Sequence, residues 1–248
     1  MAVGSLSAEV RRSRIRDLLA ADGALNLARA ADECGVSEMT IRRDLAELER
    51  HGLVRRVRGG ALAVEPERFE RRVARNSSAK ARMSAKLLPL VPKAGFVAMD
   101  SSSTIHRLAE DLDRTAVSVF TTGIETFQAL RGKTTRTMLC GGEQEEATGA
   151  FVGPIALRAV GDFHFARAFL SATSLDEQGA MESTIENAEV KRALRRSSSS
   201  VVVAIDSSKL QCTSAAVALR LAEIDLLVTE LDPSDPQLDP YRDHVDIR

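Results

Sequence analysis

Six short apolar runs punctuate residues 96–229, with helical patterns between most of them. The runs are FVAM (96–99), VSVF (117–120), RTMLC (136–140), ARAFL (166–170), VVVAI (201–205) and LLVT (226–229); the helical patterns include 104–112, 124–131, 154–160 and 187–196. This alternation restricts the fold more than any other feature. Parallel strands need a crossover connection, usually a helix, whereas antiparallel ones can turn back within two residues. Residues 79–248 are therefore predicted to form an α/β domain with a mostly parallel sheet flanked by helices. The 248 residues suit one large domain or two smaller ones and suffice to bury a sizeable core.

Residues 1–63 follow a different pattern. Val10, Ile15, Leu18 and Leu19 share one face of a helix predicted over 8–21 and ended by Asp22-Gly23. Asn26 is positioned to cap a short helix, LARAADEC, which Gly35 stops. Ser37 is positioned to cap a third helix, closed by Gly52. LVRRVRGGALAV then carries two short apolar stretches around Gly59-Gly60, the signature of a hairpin. Residues 64–78 are polar and charged and read as a linker, and the proline-rich tail DPSDPQLDPYRD reads as extended.

At about 100° per residue, Ile41, Leu45 and Leu48 fall on one side of the third helix, and Met39, Arg43 and Arg50 point nearly opposite. Glu38, Met39, Arg42 and Arg43 are thus free to enter a DNA major groove, where a recognition helix presents its N-terminal residues to base edges. Arginine donates bidentately to guanine and pairs with phosphate. Arg55, Arg56 and Arg58 on the hairpin suit a wing lying along the phosphate backbone. A charged outer helix face is ordinarily solvated surface. The short helix-turn-helix with glycine in its turn, followed by a basic hairpin, favours DNA here. Residues 1–62 carry 11 positive against 9 negative charges, so affinity would lean on dimerisation. With no Trp and one Tyr, stacking on single-stranded nucleic acid is not expected.

Residues 99–104, MDSSST, lie where a strand gives way to the amphipathic run IHRLAEDL. Such a turn offers backbone N–H groups and hydroxyls to an anion, although a serine-rich turn by itself is more often a helix cap.

The stretch VSEMTIRRDLAELERHGLVRRVRGGA (36–61) closely resembles the helix-turn-helix signature of DeoR-type bacterial transcription regulators. Ser37, TIRRDL (40–45), Leu48, Gly52, Leu53, Arg56 and Gly59-Gly60-Ala61 carry the match; Arg58 stands where the family usually has His. The candidate DNA-binding set is Ser37, Glu38, Met39, Thr40, Arg42, Arg43, Arg50, Arg55, Arg56 and Arg58. The resemblance continues more loosely over 76–235, through Asp100 and its loop, Gly141-Gly142, AEVKRAL (188–194) and DSSK (206–209). It implies a C-terminal sensor related in fold to sugar-phosphate isomerases, a phosphorylated sugar or related metabolite as effector, and a double-stranded operator as partner. The implied effector residues are Asp100, Ser101, Ser102, Ser103, Thr104, Thr121, Thr122, Gly123, Gly141, Gly142, Lys191, Asp206 and Lys209. Lys209 would meet a phosphate or carboxylate, and Asp100 and Asp206 would accept from sugar hydroxyls or hold Lys209. Glu189 and Lys191 serve equally well as exposed helix-face residues. Ser102, Ser103, Thr122, Ser174 and Asn187 depart from the usual family pattern.

The first functional reading is a ligand-controlled regulator, usually a repressor in this family, assembling as a homodimer or homotetramer. The alternative is a sugar-phosphate isomerase with an accessory DNA-binding domain. Isomerisation needs a carboxylate base near the substrate carbon. The nearest equivalent to the isomerases' acidic stretch, SATS (171–174), contains no acid, Asp176 follows in an expected turn, and His106, His164 and His244 have no evident catalytic setting. A winged helix used only for protein contact is disfavoured by the arginine-bearing helix. Cys34, Cys140 and Cys212 offer neither a disulfide framework nor metal-ligand spacing and are expected to be buried thiols. No cofactor is expected. No apolar stretch approaches the roughly 20 residues that span a bilayer, and no signal-peptide h-region is evident; a cytoplasmic protein is expected.

Overall fold

The computed structural model describes residues 8–22, 24–50, 54–63, 69–146 and 148–248, and the chain divides into two compact units, residues 1–65 and 66–248. The first unit contains α1 (Ala8–Asp22), β1 (Ala24–Asn26), α2 (Leu27–Cys34), α3 (Glu38–Arg50), β2 (Val54–Val57) and β3 (Gly60–Ala63). Local chemistry sets the helix ends. Asn26 Oδ1 accepts from Ala28 N at 2.8 Å to cap α2, and Gly35 closes α2 in the left-handed region at φ 64°. Ile15, Leu19, Ile41, Leu45 and Leu48 form the core, all at most 3% exposed. The buried Arg11 of α1 pairs with Asp44 of α3, Nη2 lying 3.2 Å from Oδ1. The helix stops assigned to Gly23 and Gly52, and the match at Leu53, lie outside the described residues.

The hairpin differs from expectation by one residue. Its turn is Arg58-Gly59, with Gly59 at φ 87°, and Gly60 is the first residue of β3. Gly60 pairs with Asn26 of β1, so that the sheet has the order β1-β3-β2. A Cβ on Gly60 would lie 1.9 Å from the Leu25 carbonyl oxygen, so this glycine is required by strand approach and not by the turn. β1 itself is too short to carry a periodic signal.

The second unit begins with α4 (Phe69–Ala74) and α5 (Ser77–Leu87), so residues 69–78, read as linker, are largely helical. Then follow β4 (Gly95–Met99), α6 (Ser103–Asp111), β5 (Val117–Thr121), α7 (Ile124–Leu130), β6 (Arg136–Leu139), β7 (Glu143–Glu145), β8 (Ala150–Val152), α8 (Gly153–Gly161), β9 (Arg167–Leu170), β10 (Ser174–Asp176), β11 (Gly179–Glu182), α9 (Ile185–Arg196), β12 (Val201–Ala204), β13 (Ala216–Leu219), β14 (Leu226–Val228) and α10 (Asp239–Arg242). The six apolar runs are the six strands of one parallel sheet, in the order β14-β12-β9-β4-β5-β6. Val97, Met99 and Val119 pack on one face against Met83, Leu87, Ile105 and Leu108, while Ala98, Phe120 and Leu170 pack on the other with Val160, Val190 and Leu194. Helices thus cover both faces, which is why the strands read as continuous apolar runs. The chain leaves β4 toward β5 and β6 but leaves β9 toward β12 and β14, so the winding reverses between β4 and β9.

β7 pairs with β8, and a small antiparallel sheet has the order β10-β11-β13. The tail is not extended. It forms a 3₁₀ turn over Pro236–Leu238 and α10, whose Tyr241 is fully buried, donates to the Leu175 carbonyl at 3.0 Å and accepts from Gln211 N at 3.0 Å. The cysteines are not uniformly buried: Cys34 is, Cys140 is partly so, and Cys212 is exposed. Burial pushes the Cys140 thiol up to about 12.

Candidate functional site

Two candidate sites emerge, one on each unit. In the first unit, Ser37 caps α3: Thr40 N donates to its Oγ at 3.3 Å, and the two hydroxyls lie 3.0 Å apart. Opposite the buried Ile41, Leu45 and Leu48, Met39 is 58% exposed, and Arg42 and Arg43 are exposed beside it. Glu38 and Arg42 form an i,i+4 pair at 3.5 Å. Arg55, Arg56 and Arg58 are exposed on the hairpin but are not equivalent. Arg56 is bound back to α3, its backbone N–H and Nε donating to Glu49 at 2.8 and 2.6 Å. Those hydrogen bonds hold the Glu49 carboxyl below the usual carboxylate range. Arg43, Arg55 and Arg58 form no ion pair among the described residues. Arg50 ends α3, and its side chain lies outside what the structure describes.

In the second unit, the carboxyl ends of β4 and β9 flank the point where the winding reverses, the place where open α/β sheets bind ligands. Asp100, just past β4, is 1% exposed. Its Oδ1 accepts from the N–H and hydroxyl of Ser102 at 2.9 and 2.6 Å; its Oδ2 accepts from Ser171 N, just past β9, at 2.8 Å and from Lys191 Nζ of α9 at 2.6 Å. Lys191, 6% exposed, also donates to the Ser171 carbonyl at 2.5 Å and to Glu182 of β11 at 2.9 Å. Three acceptors match the three donors of its ammonium. Burial pushes the Asp100 carboxyl up, but the Lys191 charge and the hydrogen bonds from Lys191, Ser102 and Ser171 outweigh it and hold the group below the usual range. Burial likewise pushes Lys191 down, and the charges of Asp100 and Glu182 turn the balance upward.

Lys209 lies differently. Its ammonium donates to the Ala172 carbonyl at 2.8 Å and forms no ion pair among the described residues. Burial lowers its pKa, and the nearby charges of Asp206 and Glu182 only partly oppose that. Asp206, buried, is engaged by Ser208 and by Asn76 Nδ2 at 2.8 Å. Burial pushes the Asp206 carboxyl up, but Ser208, Lys209 and Asn76 together hold it below its usual range.

The remaining candidates mostly shape the loop after β4. Ser102 caps α6 through Ile105 N at 3.2 Å; Ser103 and Thr104 are buried, Thr104 Oγ1 without a hydrogen-bond partner among the described residues, and Ser101 is partly exposed. Thr121 Oγ1 accepts from Gly123 N at 3.1 Å, and Thr122 N donates to the Met99 carbonyl at 3.2 Å. A Cβ on Gly123 would lie 2.6 Å from Ser101 Cα, so the loop after β5 presses directly on the one after β4. Gly141 adopts φ 71° and Gly142 φ 119°; a Cβ on Gly142 would lie 2.8 Å from the Val152 carbonyl, which makes close packing against β8 its local demand. Glu189 is exposed, whereas Lys191 is buried. Asp176 ends β10 and accepts from Gln178 N at 2.8 Å and Thr213 Oγ1 at 2.9 Å. His106 meets Phe69 in an edge-to-face contact, ring centroids 5.1 Å apart, and burial pushes its pKa down.

Sequence reasoning missed Glu182, Ser171, Thr173, Asn76 and the pair of Asn187 with Glu145, Nδ2 to Oε2 at 2.8 Å. Glu182 closes the apolar GAME strand and accepts from Thr173 Oγ1 at 2.9 Å. A single acid ending a four-residue strand carries no local signal. Asn76 gives a faint one, because it sits in the left-handed region at φ 52° just before α5, a conformation asparagine tolerates better than most residues.

The DeoR-like helix-turn-helix domain model matches residues 11–67, and the DeoR C terminal sensor domain model matches residues 75–231. The chain belongs to the DeoR family. Its N-terminal unit is the family's DNA-binding helix-turn-helix. Among similar proteins, the transcriptional repressor AccR of Agrobacterium fabrum is 30% identical over 232 residues, covering 90% of each chain. The lactose phosphotransferase system repressor of Streptococcus mutans is 29% identical, covering 92% of this chain and 94% of its own. The L-fucose operon activator of Haemophilus influenzae is 29% identical, covering 91% and 92%. These relatives are regulators of transcription. Among solved structures, ribose 5-phosphate isomerase A from Methanocaldococcus jannaschii superposes over 54% of each chain with a TM-score of 0.40 at 13% identity. Among the described residues, no helix is long and apolar enough to cross a membrane, and no group of three or more His, Cys, Asp or Glu could hold a metal ion.

Proposed function

We propose that this DeoR-family chain represses a carbohydrate operon and is released from its operator by a phosphorylated sugar or similar metabolite. Met39, Arg42 and Arg43 read bases from α3; Arg55 and Arg58 hold the backbone from the hairpin, with Arg56 serving mainly to tie that hairpin to Glu49. Ser37 and Thr40 order the start of α3. In the second unit the effector's anionic group meets Lys209 beside the loops after β4 and β9. Lys191, with all its donors engaged, anchors those loops through Asp100 and Glu182. The observation that carries the effector reading is the Lys209 ammonium, which is half-buried at the sheet's switch point with one carbonyl partner and no carboxylate within ion-pair distance among the described residues. The second unit also mediates homodimer or homotetramer assembly, which lets two reading heads bind two half-sites.

Isomerase activity is the less supported reading. Asp100 and Glu182 are both bound to Lys191, and Asp206 is engaged by Ser208 and Asn76, so none of these three carboxylates is an unengaged base. The test is a thermal-shift screen of phosphorylated sugars against the matching free sugars, paired with release of bound DNA. A phosphorylated sugar is expected to raise the melting temperature of the wild type and release its DNA, and to do neither with Lys209→Ala, which still binds the DNA. A Lys209→Ala protein that responds like the wild type overturns the effector assignment; a wild type that binds no specific DNA overturns the regulator reading.

A further inference from the structure

Met39 is out of place as an ordinary surface residue. It is among the most exposed large apolar side chains in the first unit, at 58%, and it occupies the second position of α3, on the face opposite the buried Ile41, Leu45 and Leu48. Arg42 and Arg43 follow at i+3 and i+4, so they flank it one turn on. Arg42 is partly engaged by Glu38, whereas Arg43 has no ion pair among the described residues. The N-terminal end of α3 therefore offers one apolar surface and, among the described residues, a guanidinium without an ion pair, that of Arg43.

Major-groove chemistry contains one natural apolar feature. Every base edge presents a hydrogen-bond donor, an acceptor or both, and only thymine adds a methyl group, at C5. A thioether side chain has no hydrogen bond to donate and is too flexible to read a polar edge by shape, but it packs readily on a methyl. Arginine is suited to the O6 and N7 acceptors of guanine. Four residues of helix advance about 6 Å, close to two base-pair steps of about 3.4 Å.

We propose that Met39 is a specificity-determining residue that reads a thymine C5-methyl within about two base pairs of the guanine contacted by Arg43. The inference rests on α3 being the base-reading helix. Removing Met39 leaves affinity for the rest of the operator intact and erases one sequence preference only. Among the described residues, Met39 is not part of the apolar core beneath α3.

The test uses the full-length protein and duplex DNA enriched by it from a random pool. Each thymine of the selected site is replaced singly by deoxyuridine, which deletes the methyl and keeps every hydrogen-bonding group. Wild type is expected to lose about fourfold in affinity at one thymine per half-site, the worth of one buried carbon group, and to ignore the others. Met39→Ala is expected to bind thymine and deoxyuridine equally at that position, while Met39→Leu keeps the discrimination. Wild-type indifference to every deoxyuridine overturns the proposal, as does unchanged discrimination by Met39→Ala, which would point to another residue or to a protein partner for Met39. Failure to enrich any DNA sequence overturns the base-reading role of α3 and the inference with it; enrichment without thymine-methyl sensitivity overturns the inference alone.

Discussion

Replacing Lys191 by Met tests how the loops around the switch point are held together. The ammonium lies 2.6 Å from Asp100 and 2.9 Å from Glu182, and the three residues are 6%, 1% and 7% exposed. Methionine fills similar space but removes the charge, stranding two carboxylates in a site that excludes water. Breaking a buried pair by removing one partner costs about 3–5 kcal/mol, and two stranded anions put this case toward the upper end. Urea denaturation has a usual slope of about 1–3 kcal/mol per molar, so the midpoint should fall by roughly 2 M. Intrinsic fluorescence reads the correct unit, because the chain has no Trp and its single tyrosine, Tyr241, is fully buried in the second unit. The dependence on pH gives a second signature. In the wild type the Asp100 carboxyl is held below its usual range, so its contribution is present above the unfolded value of about 3.9 and is lost as pH falls through the lower folded value. In the variant the cation is gone; the hydrogen bonds from Ser102 and Ser171 remain, but burial is the largest influence on the group and is expected to raise the folded value above the unfolded one. That group then favours the fold when protonated, so the variant's deficit should shrink as pH falls from 7 toward 5. Neutralising the whole cluster, with Lys191→Met, Asp100→Asn and Glu182→Gln together, should recover most of the loss. A single variant less than about 1 kcal/mol below wild type, or a deficit that grows on acidification, would refute the reasoning.

Gly60→Ala should destabilise the first unit by more than about 2 kcal/mol, because its Cβ would sit 1.9 Å from the Leu25 carbonyl and force β1 and β3 apart; hydrogen exchange of Leu25 and Ala61 amides reports it, with the second unit unaffected. Arg58→Ala should weaken binding to all DNA sequences alike and lower the salt slope by about one, measured by titration at several salt concentrations, whereas Arg56→Ala should affect hairpin stability more than that slope.

Much of the architecture was legible before any coordinates. The caps at Asn26 and Ser37 and the stop at Gly35 are decided by hydrogen bonds spanning two to four residues, so residue order exposes them; the Ser102 cap emerged only from the structure. The parallel strands were readable because helices on both faces make most of each run apolar, although the edge strand β6 is only partly buried. β1 and β7, three residues each, are too short to have a period, and α4 was hidden by its charged composition. Tyr241 lay in a tail whose prolines suggested extension, yet a 3₁₀ turn with Pro236 at its start carries it into the core.

The candidate sites divide in the same way. The two faces of α3 were evident because its apolar and charged residues sort by helical period alone, and the sequence by itself determined which face would be outward. Only the tertiary structure separated Arg56, tied to Glu49 seven residues away, from Arg55 and Arg58. It also decided that Lys191, equally plausible on an exposed helix face, is buried between Asp100, 91 positions earlier in the chain, and Glu182, while Lys209 has no carboxylate partner among the described residues. Helical and strand periods are local properties of the chain. The state of a charge depends on which distant groups exclude water from it and which compensate it, and only the folded chain sets that.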